Sequence, residues 1–309
     1  MQLLDGLDAV PASLRGGVVA IGNFDGVHLG HAAILQAAVR RAGPRPVVAL
    51  TFHPHPLKIL SPENAPALLC QHSQRLDWFA EHDLAAVVVI ESTAALLATE
   101  PETFVAKMIA AQLAPCVLAE GPNFSFGRDR RGDVALLEKL GPEYGFSVTV
   151  AEAVRVHVGG KSHIVSSSLI RRLVAKGNVA DAAICLDRPY TLRGKVATGQ
   201  GRGAQLSFPT ANLDVGGQLI PGEGVYAGRA CLDGNWHLAA ISVGTKATFG
   251  ENQLAVEAFL LDFEADIYGK SMDLAFLEHL RPQQRFDSPI TLKAQIAEDV
   301  RQVRQRASI

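Results

Sequence analysis

The sequence predicts an α/β protein of two domains: a parallel sheet wrapped by helices, then a small antiparallel barrel or sandwich closed by a helix. Three observations carry this prediction. A chain of 309 residues holds two compact domains of ordinary size. From residue 18 to about 177, short β-branched runs alternate with amphipathic helical stretches. Near Asp187-Arg188-Pro189 the rhythm changes to period-two strands broken by glycine turns, which puts the boundary there.

In the first part, Val18 to Ile21, Val47 to Phe52, Leu84 to Ile90, Cys116 to Glu120 and Phe146 to Val150 read as strands. Ile34, Leu35, Ala38 and Val39 share one helical face before Gly43-Pro44 ends the segment. Thr99 and Glu102 have the spacing of a capping box and predict a helix through Leu113. In the second part, Asp233-Gly234 joins Val225 to Leu232 and Trp236 to Val243 as a hairpin. The closing helix starts at Ser288 as cap with Pro289 next, and sets Leu292, Ile296, Val300 and Val303 on one face.

Composition excludes several classes of function. With 48% hydrophobic and 19% charged residues, the chain has the make-up of a folded globular protein. Twenty-nine basic against 31 acidic residues leave a net charge of -2, without the electrostatic footprint of a nucleic-acid or anionic-membrane partner. Cys70, Cys116, Cys185 and Cys231 are scattered without a CxxC pair, arguing against zinc and disulfides and for a reducing cytoplasm. No targeting segment or membrane helix is expected, and a homo-oligomer is left open.

The first predicted strand runs into Gly22-Asn23-Phe24-Asp25-Gly26-Val27-His28-Leu29-Gly30-His31 and then a helix. Strand, glycine turn and helix N-terminus in that order make an anion site, because unpaired backbone N–H groups converge there. His28 and His31, three apart, face one way, and Gly30 lets a nucleotide approach the backbone. The same spacing is also that of two ordinary surface histidines. Ser166, Ser167 and Arg171 offer hydroxyls and a guanidinium at a second helix start, which suits a triphosphate as well as plain capping. Gly199, Gly201, Arg202 and Gly203 precede Phe208-Pro209-Thr210-Ala211-Asn212, a donor-rich loop beside hard oxygen ligands suited to Mg²⁺, or a glycine hairpin and a proline turn. Glu257 interrupts the apolar run Val256 to Phe263, so a carboxylate sits in a half-buried strand or faces water from an edge.

These segments, with Thr51-Phe52-His53-Pro54-His55-Pro56 and Asn123-Phe124-Ser125-Phe126-Gly127 in the same order, resemble the HxGH nucleotidyltransferases. More specifically, the whole chain is similar to the bacterial bifunctional riboflavin kinase/FMN adenylyltransferase family. The resemblance implies a Rossmann-like FMN adenylyltransferase domain over 1–186 and a β-barrel riboflavin kinase domain over 187–309. Riboflavin, FMN and ATP would be its substrates, FAD its product and Mg²⁺ its metal. His28, His31 and Arg171 would act on ATP phosphates, with Gly22, Asn23, Phe24, Gly30, Ser166 and Ser167 around the nucleotide. Asn123 and Phe124 would flank flavin. In the kinase half, Thr210 and Asn212 would hold the metal, the glycine loop and Arg281 would line ATP and flavin, and Glu257 would be the base. His53 and His55 could touch phosphates or shape a proline-stiffened turn. The pattern departs at Ser207 and Ala247, where the family has glycine and proline. That leaves a second reading, in which only FMN is adenylylated and the barrel merely holds flavin.

Overall fold

The computed structural model describes residues 1–197, 208–248 and 251–306. It divides into two compact units: Met1–Pro66, His72–Val156 and Ser162–Val165 form the first, and Ala67–Gln71, His157–Lys161 and Ser166–Ile309 the second.

The first unit is built on strands β1 (Gln2–Asp5), β2 (Val18–Ile21), β3 (Val47–His53), β4 (Ala86–Glu91), β5 (Val117–Glu120) and β6 (Ser147–Val150). They form one sheet in the order β1-β4-β3-β2-β5-β6, with every neighbouring pair parallel. The inner strands β2, β3, β4 and β5 are apolar for most of their length because both faces are covered. Val18, Ala20, Val47, Ala49 and Val87 pack with Leu35 and Ala38 of α1 (Leu29–Ala42) and Phe79 of α2 (His72–Phe79). Val19, Ile21, Val48, Leu50 and Val88 pack on the other face with Phe104, Ile109, Leu113 and Leu137. The five expected strands are therefore present, and β1 is added at the edge. Its mostly exposed Gln-Leu-Leu-Asp carries no β-branched residue and gives no strand pattern to read.

The helix expected from a Thr99–Glu102 box starts later. Glu100 occupies the N-cap without a side-chain cap bond, Pro101 opens the helix, and the Thr99 hydroxyl turns back to Ala95 O at 3.2 Å. Proline's fixed φ and missing N–H suit the first turn, so Pro101 sets the start.

In the second unit, β7 (Tyr190–Ala197), β8 (Ala211–Asp214), β9 (Gly224–Leu232), β10 (Asn235–Thr248), β11 (Glu251–Leu260) and β12 (Ser271–Arg281) close a barrel. The order round it is β7-β8-β11-β10-β9-β12, with neighbouring pairs antiparallel. Asp233 and Gly234 both have positive φ, +49° and +83°, the handedness that lets two residues join β9 to β10. The terminal helix runs Pro289–Arg306, with Thr291 N on the Ser288 hydroxyl at 3.2 Å, and puts Val303 against Ala227 and Leu261.

The compact units and the expected boundary at 187 differ over residues 67–71, 157–161 and 166–186. The helices Ser167–Ala175 and Val179–Leu186 belong to the second unit. Gly222 N bonds Val174 O at 3.0 Å, fastening the first helix's end to the barrel's own connection.

Candidate active sites

In a doubly wound sheet the ligand crevice lies outside the carboxyl ends of the strands, where the chain order reverses. Here β3 and β4 extend from one side of β2 and β5 and β6 from the other, so the reversal falls between β2 and β5. Gly22, Asn23 and Phe24 follow β2, and Asn123 and Phe124 follow β5. The two motif segments expected to meet nucleotide and flavin thus both leave the sheet at its switch point.

His28 is the N-cap of α1, and its Nδ1 accepts from His31 N at 3.3 Å. A neutral imidazole accepting at Nδ1 carries its proton at Nε2, leaving that nitrogen a donor. The two rings stack at 3.6 Å, and Phe24, fully buried, meets His31 edge-on at 5.2 Å. A Cβ on Gly30 would stand 3.1 Å from the His28 ring and 3.5 Å from Val165 O, so glycine keeps this helix start open.

Three residues that the motifs did not reveal hold the loop. Arg75, buried in α2, donates to Asn23 O at 2.6 Å and to Phe52 O at 3.1 Å, joining the ends of β2 and β3. It also contacts His72 Nδ1 at 2.9 Å, and an arginine there makes that nitrogen the acceptor. His72 stacks on His53 at 4.5 Å. Burial, Arg75 and His53 lower the pKa of His72 to about 4. The third is Glu120, whose Oε1 accepts from Ile21 N at 3.0 Å. A buried polar residue next to a glycine-rich strand end was the available signal. Of the undecided pair, His53 makes that stack, while His55 caps a short helix by accepting from Leu57 N at 3.2 Å and meets the Asn23 amide at 3.5 Å.

After β5, Asn123 is exposed and Phe124 stacks on Phe126 at 5.5 Å. Ser166 caps its helix by accepting from Leu169 N at 3.2 Å, and Arg171 Nε donates to Ala67 O at 2.8 Å. Ser166, Ser167 and Arg171 all lie in the second unit.

The second constellation lies on the outer face of the barrel. Register pairs Asn212 of β8 with Glu257 of β11, and Glu257 with Ser242 of β10. Their neighbours Ala211, Leu213, Val256, Ala258, Ile241 and Val243 are buried, so the three polar residues share the opposite face. The Thr210 hydroxyl reaches Glu257 Oε2 at 3.4 Å. Gln283, which carried no motif, joins the row through Ser242 Oγ at 2.8 Å. Hydroxyl, amide and carboxylate oxygens are the donor set of a hard cation such as Mg²⁺. Among the described residues, no group of three or more His, Cys, Asp or Glu could hold a metal. Arg281 ends β12, with its guanidinium held by both oxygens of Asp299 at 2.8 and 2.7 Å. Gly199, Gly201, Arg202, Gly203 and Ser207 lie outside the described residues.

Family models match both parts of the chain: FAD synthetase over residues 10–169 and riboflavin kinase over 186–307. A bifunctional riboflavin kinase/FMN adenylyltransferase of Escherichia coli (strain K12) is 35% identical, covering 97% of this chain and 96% of its own length. The chain belongs to the bifunctional riboflavin kinase/FMN adenylyltransferase family. The Pseudomonas fluorescens protein of that name is 34% identical, covering 100% of this chain and 98% of its own. A solved structure described as a macrolide-efflux protein from Streptococcus pneumoniae shares the fold, with a TM-score of 0.86 and 25% identity over 98% of this chain and 99% of that one. No helix among the described residues is long and apolar enough to cross a membrane. The switch-point loops fall within the FAD synthetase span and the Thr210–Asn212–Glu257 row within the riboflavin kinase span; Arg171 falls between the two.

Proposed function

We propose that the chain is a transferase that phosphorylates riboflavin to FMN with ATP and then adenylylates FMN to FAD, each reaction at its own site. The observation that carries this is the match of both families, in order, to segments that hold two separate polar constellations.

At the switch point, a phosphate oxygen of FMN attacks the α-phosphorus of ATP. The new bond is O–Pα, and the bond to the bridging oxygen breaks as pyrophosphate leaves. No protein nucleophile is needed, so this chain's residues bind, orient and neutralise. His28 Nε2–H and the N–H groups opening α1 suit the charge that grows on the phosphates. His31, Gly22, Asn23, Phe24, Gly30, Ser166, Ser167 and Arg171 are assigned to ATP, and Asn123 and Phe124 to flavin.

On the barrel, Glu257 takes the proton of the ribityl hydroxyl, whose oxygen attacks the γ-phosphorus of ATP, and ADP leaves. Thr210 and Asn212 would hold Mg²⁺, which when bound neutralises phosphate charge. The glycine loop 199–203 is assigned to ATP, and Arg281 to the flavin side by way of its neighbours. The arrangement of Asn212, Glu257 and Ser242 on one face favours this over a barrel that merely holds flavin. We place the enzyme in the cytoplasm, without a nucleic-acid partner, and assign the chemistry to 1–186 and 187–309.

The test is a chromatographic time course of purified protein with riboflavin, ATP and Mg²⁺. FMN should appear first and FAD after it. Formation of neither product would refute the reading, and FAD from supplied FMN without any from riboflavin would leave only the first site active.

A further inference from the structure

We infer that Glu120 is a positioning residue for adenylyl transfer, holding the ends of β2 and β5 at the spacing that lets the Gly22–Phe24 and Asn123–Phe124 loops share one substrate pair. The inference rests on the reading of the first site as the adenylyl-transfer site.

The register of β2 on β5 runs Val18 to Val117, Val19 to Leu118 and Ala20 to Ala119, and stops there. The next rung would be Ile21 on Glu120. At that rung a side chain replaces the backbone: Ile21 N donates to Glu120 Oε1 at 3.0 Å. The other edge of Glu120 is already committed, since its main-chain oxygen accepts from Ala151 N at 2.8 Å. The carboxyl therefore bridges two strands where they begin to part, with Ile21 one residue before Gly22 and Glu120 three before Asn123. Glu120 has no exposed surface, and Oε2 has no hydrogen-bond partner among the described residues.

A carboxylate in that place would be a buried charge with one hydrogen bond, a costly arrangement. Burial raises the Glu120 pKa well above the ordinary range, and only the Ile21 N–H opposes it. The neighbouring strands β2 and β6 carry no titratable side chain, α1 carries His31, Arg40 and Arg41, and the helices on the Leu118 face carry Glu102, Lys107, Glu138, Lys139 and Glu143, none of which contributes to the shift. That direction favours the neutral acid over the carboxylate at the bridge. Ionisation would put an uncompensated charge between the loops and disturb their spacing.

The experiment compares wild type, Glu120→Gln and Glu120→Leu in FMN adenylylation across pH, with riboflavin phosphorylation in the same samples as control. Gln keeps an acceptor for Ile21 N and should stay within about twofold of wild type in kcat and KM. Leu removes the bridge and should raise KM for FMN or ATP about tenfold, with riboflavin phosphorylation unchanged. Wild type should lose adenylyl transfer on an alkaline limb that the Gln variant lacks. A Leu variant with wild-type constants, or a Gln variant as impaired as Leu, would overturn the inference. Should Leu not fold, infrared spectra decide: a carboxylic-acid carbonyl band at neutral pH must be present in wild type and missing in Gln, and its absence from wild type overturns the proposal. A wild type that makes no FAD at all removes the underlying reading, and the inference with it.

Discussion

The two sites are positioned by different physics. The first stands at a place that topology provides: parallel strands reverse their order between β2 and β5, and the loops leaving those strands converge whatever their side chains. Side chains then hold the loops, with Arg75 on the β3 side and Glu120 on the β5 side. The second has no such crevice. It is a row of polar side chains on the outside of an antiparallel barrel, brought level by register alone. A one-residue slip of β11 would turn Glu257 into the barrel and Ala258 out. A topological site tolerates change in its strands and depends on its strand-end tethers; a register site depends on every rung.

His28→Ala should have the largest effect. Removing the donor proposed to meet developing phosphate charge should lower FMN adenylylation about a hundredfold, while riboflavin phosphorylation stays within about twofold, both read by chromatography. If both rates fall together, the sites are not independent. Next is Asp299→Ala, which strands Arg281 in the barrel wall. That pair is 14% and 5% exposed, and breaking it should cost about 3 kcal/mol in denaturant unfolding of the second unit. Thr210→Ala should be milder, lowering phosphorylation about tenfold through loss of one oxygen of the row, with a larger loss at low Mg²⁺. An effect independent of Mg²⁺ would take Thr210 out of the metal set.

The smallest concerns the inner wall of the first site. With its folded pKa near 4 against 6.5 unfolded, His72 is protonated in the unfolded chain first as pH falls. The unfolded state therefore binds more protons between 6.5 and 4, and stability declines over that window. His53, also lowered by burial and Arg75, acts in the same direction. In urea unfolding at stepped pH, His72→Gln should show a shallower slope there than wild type.

The fold class, and the segments of the candidate sites built from neighbours in the chain, lay open in the sequence. Gly22 to His31 and Ser288-Pro289 could be read because turns and caps are made by neighbours in the chain. Ser242 and Gln283 could not, since Ser242 meets Glu257 only through barrel register and Gln283 joins by bonding Ser242. Arg75 and Glu120 were equally silent, since their partners are backbone atoms 52 and 99 positions away. The late start at Pro101 is a local effect of proline, whereas the affiliation of 166–186 with the barrel follows from contacts distant in the sequence.

The most direct test of two separate sites is Glu257→Ala assayed twice, once with riboflavin and once with FMN, each with ATP and Mg²⁺. The account predicts no FMN or FAD from riboflavin and FAD from FMN at the wild-type rate. Loss of FAD formation from supplied FMN, or ordinary phosphorylation of riboflavin, would contradict it.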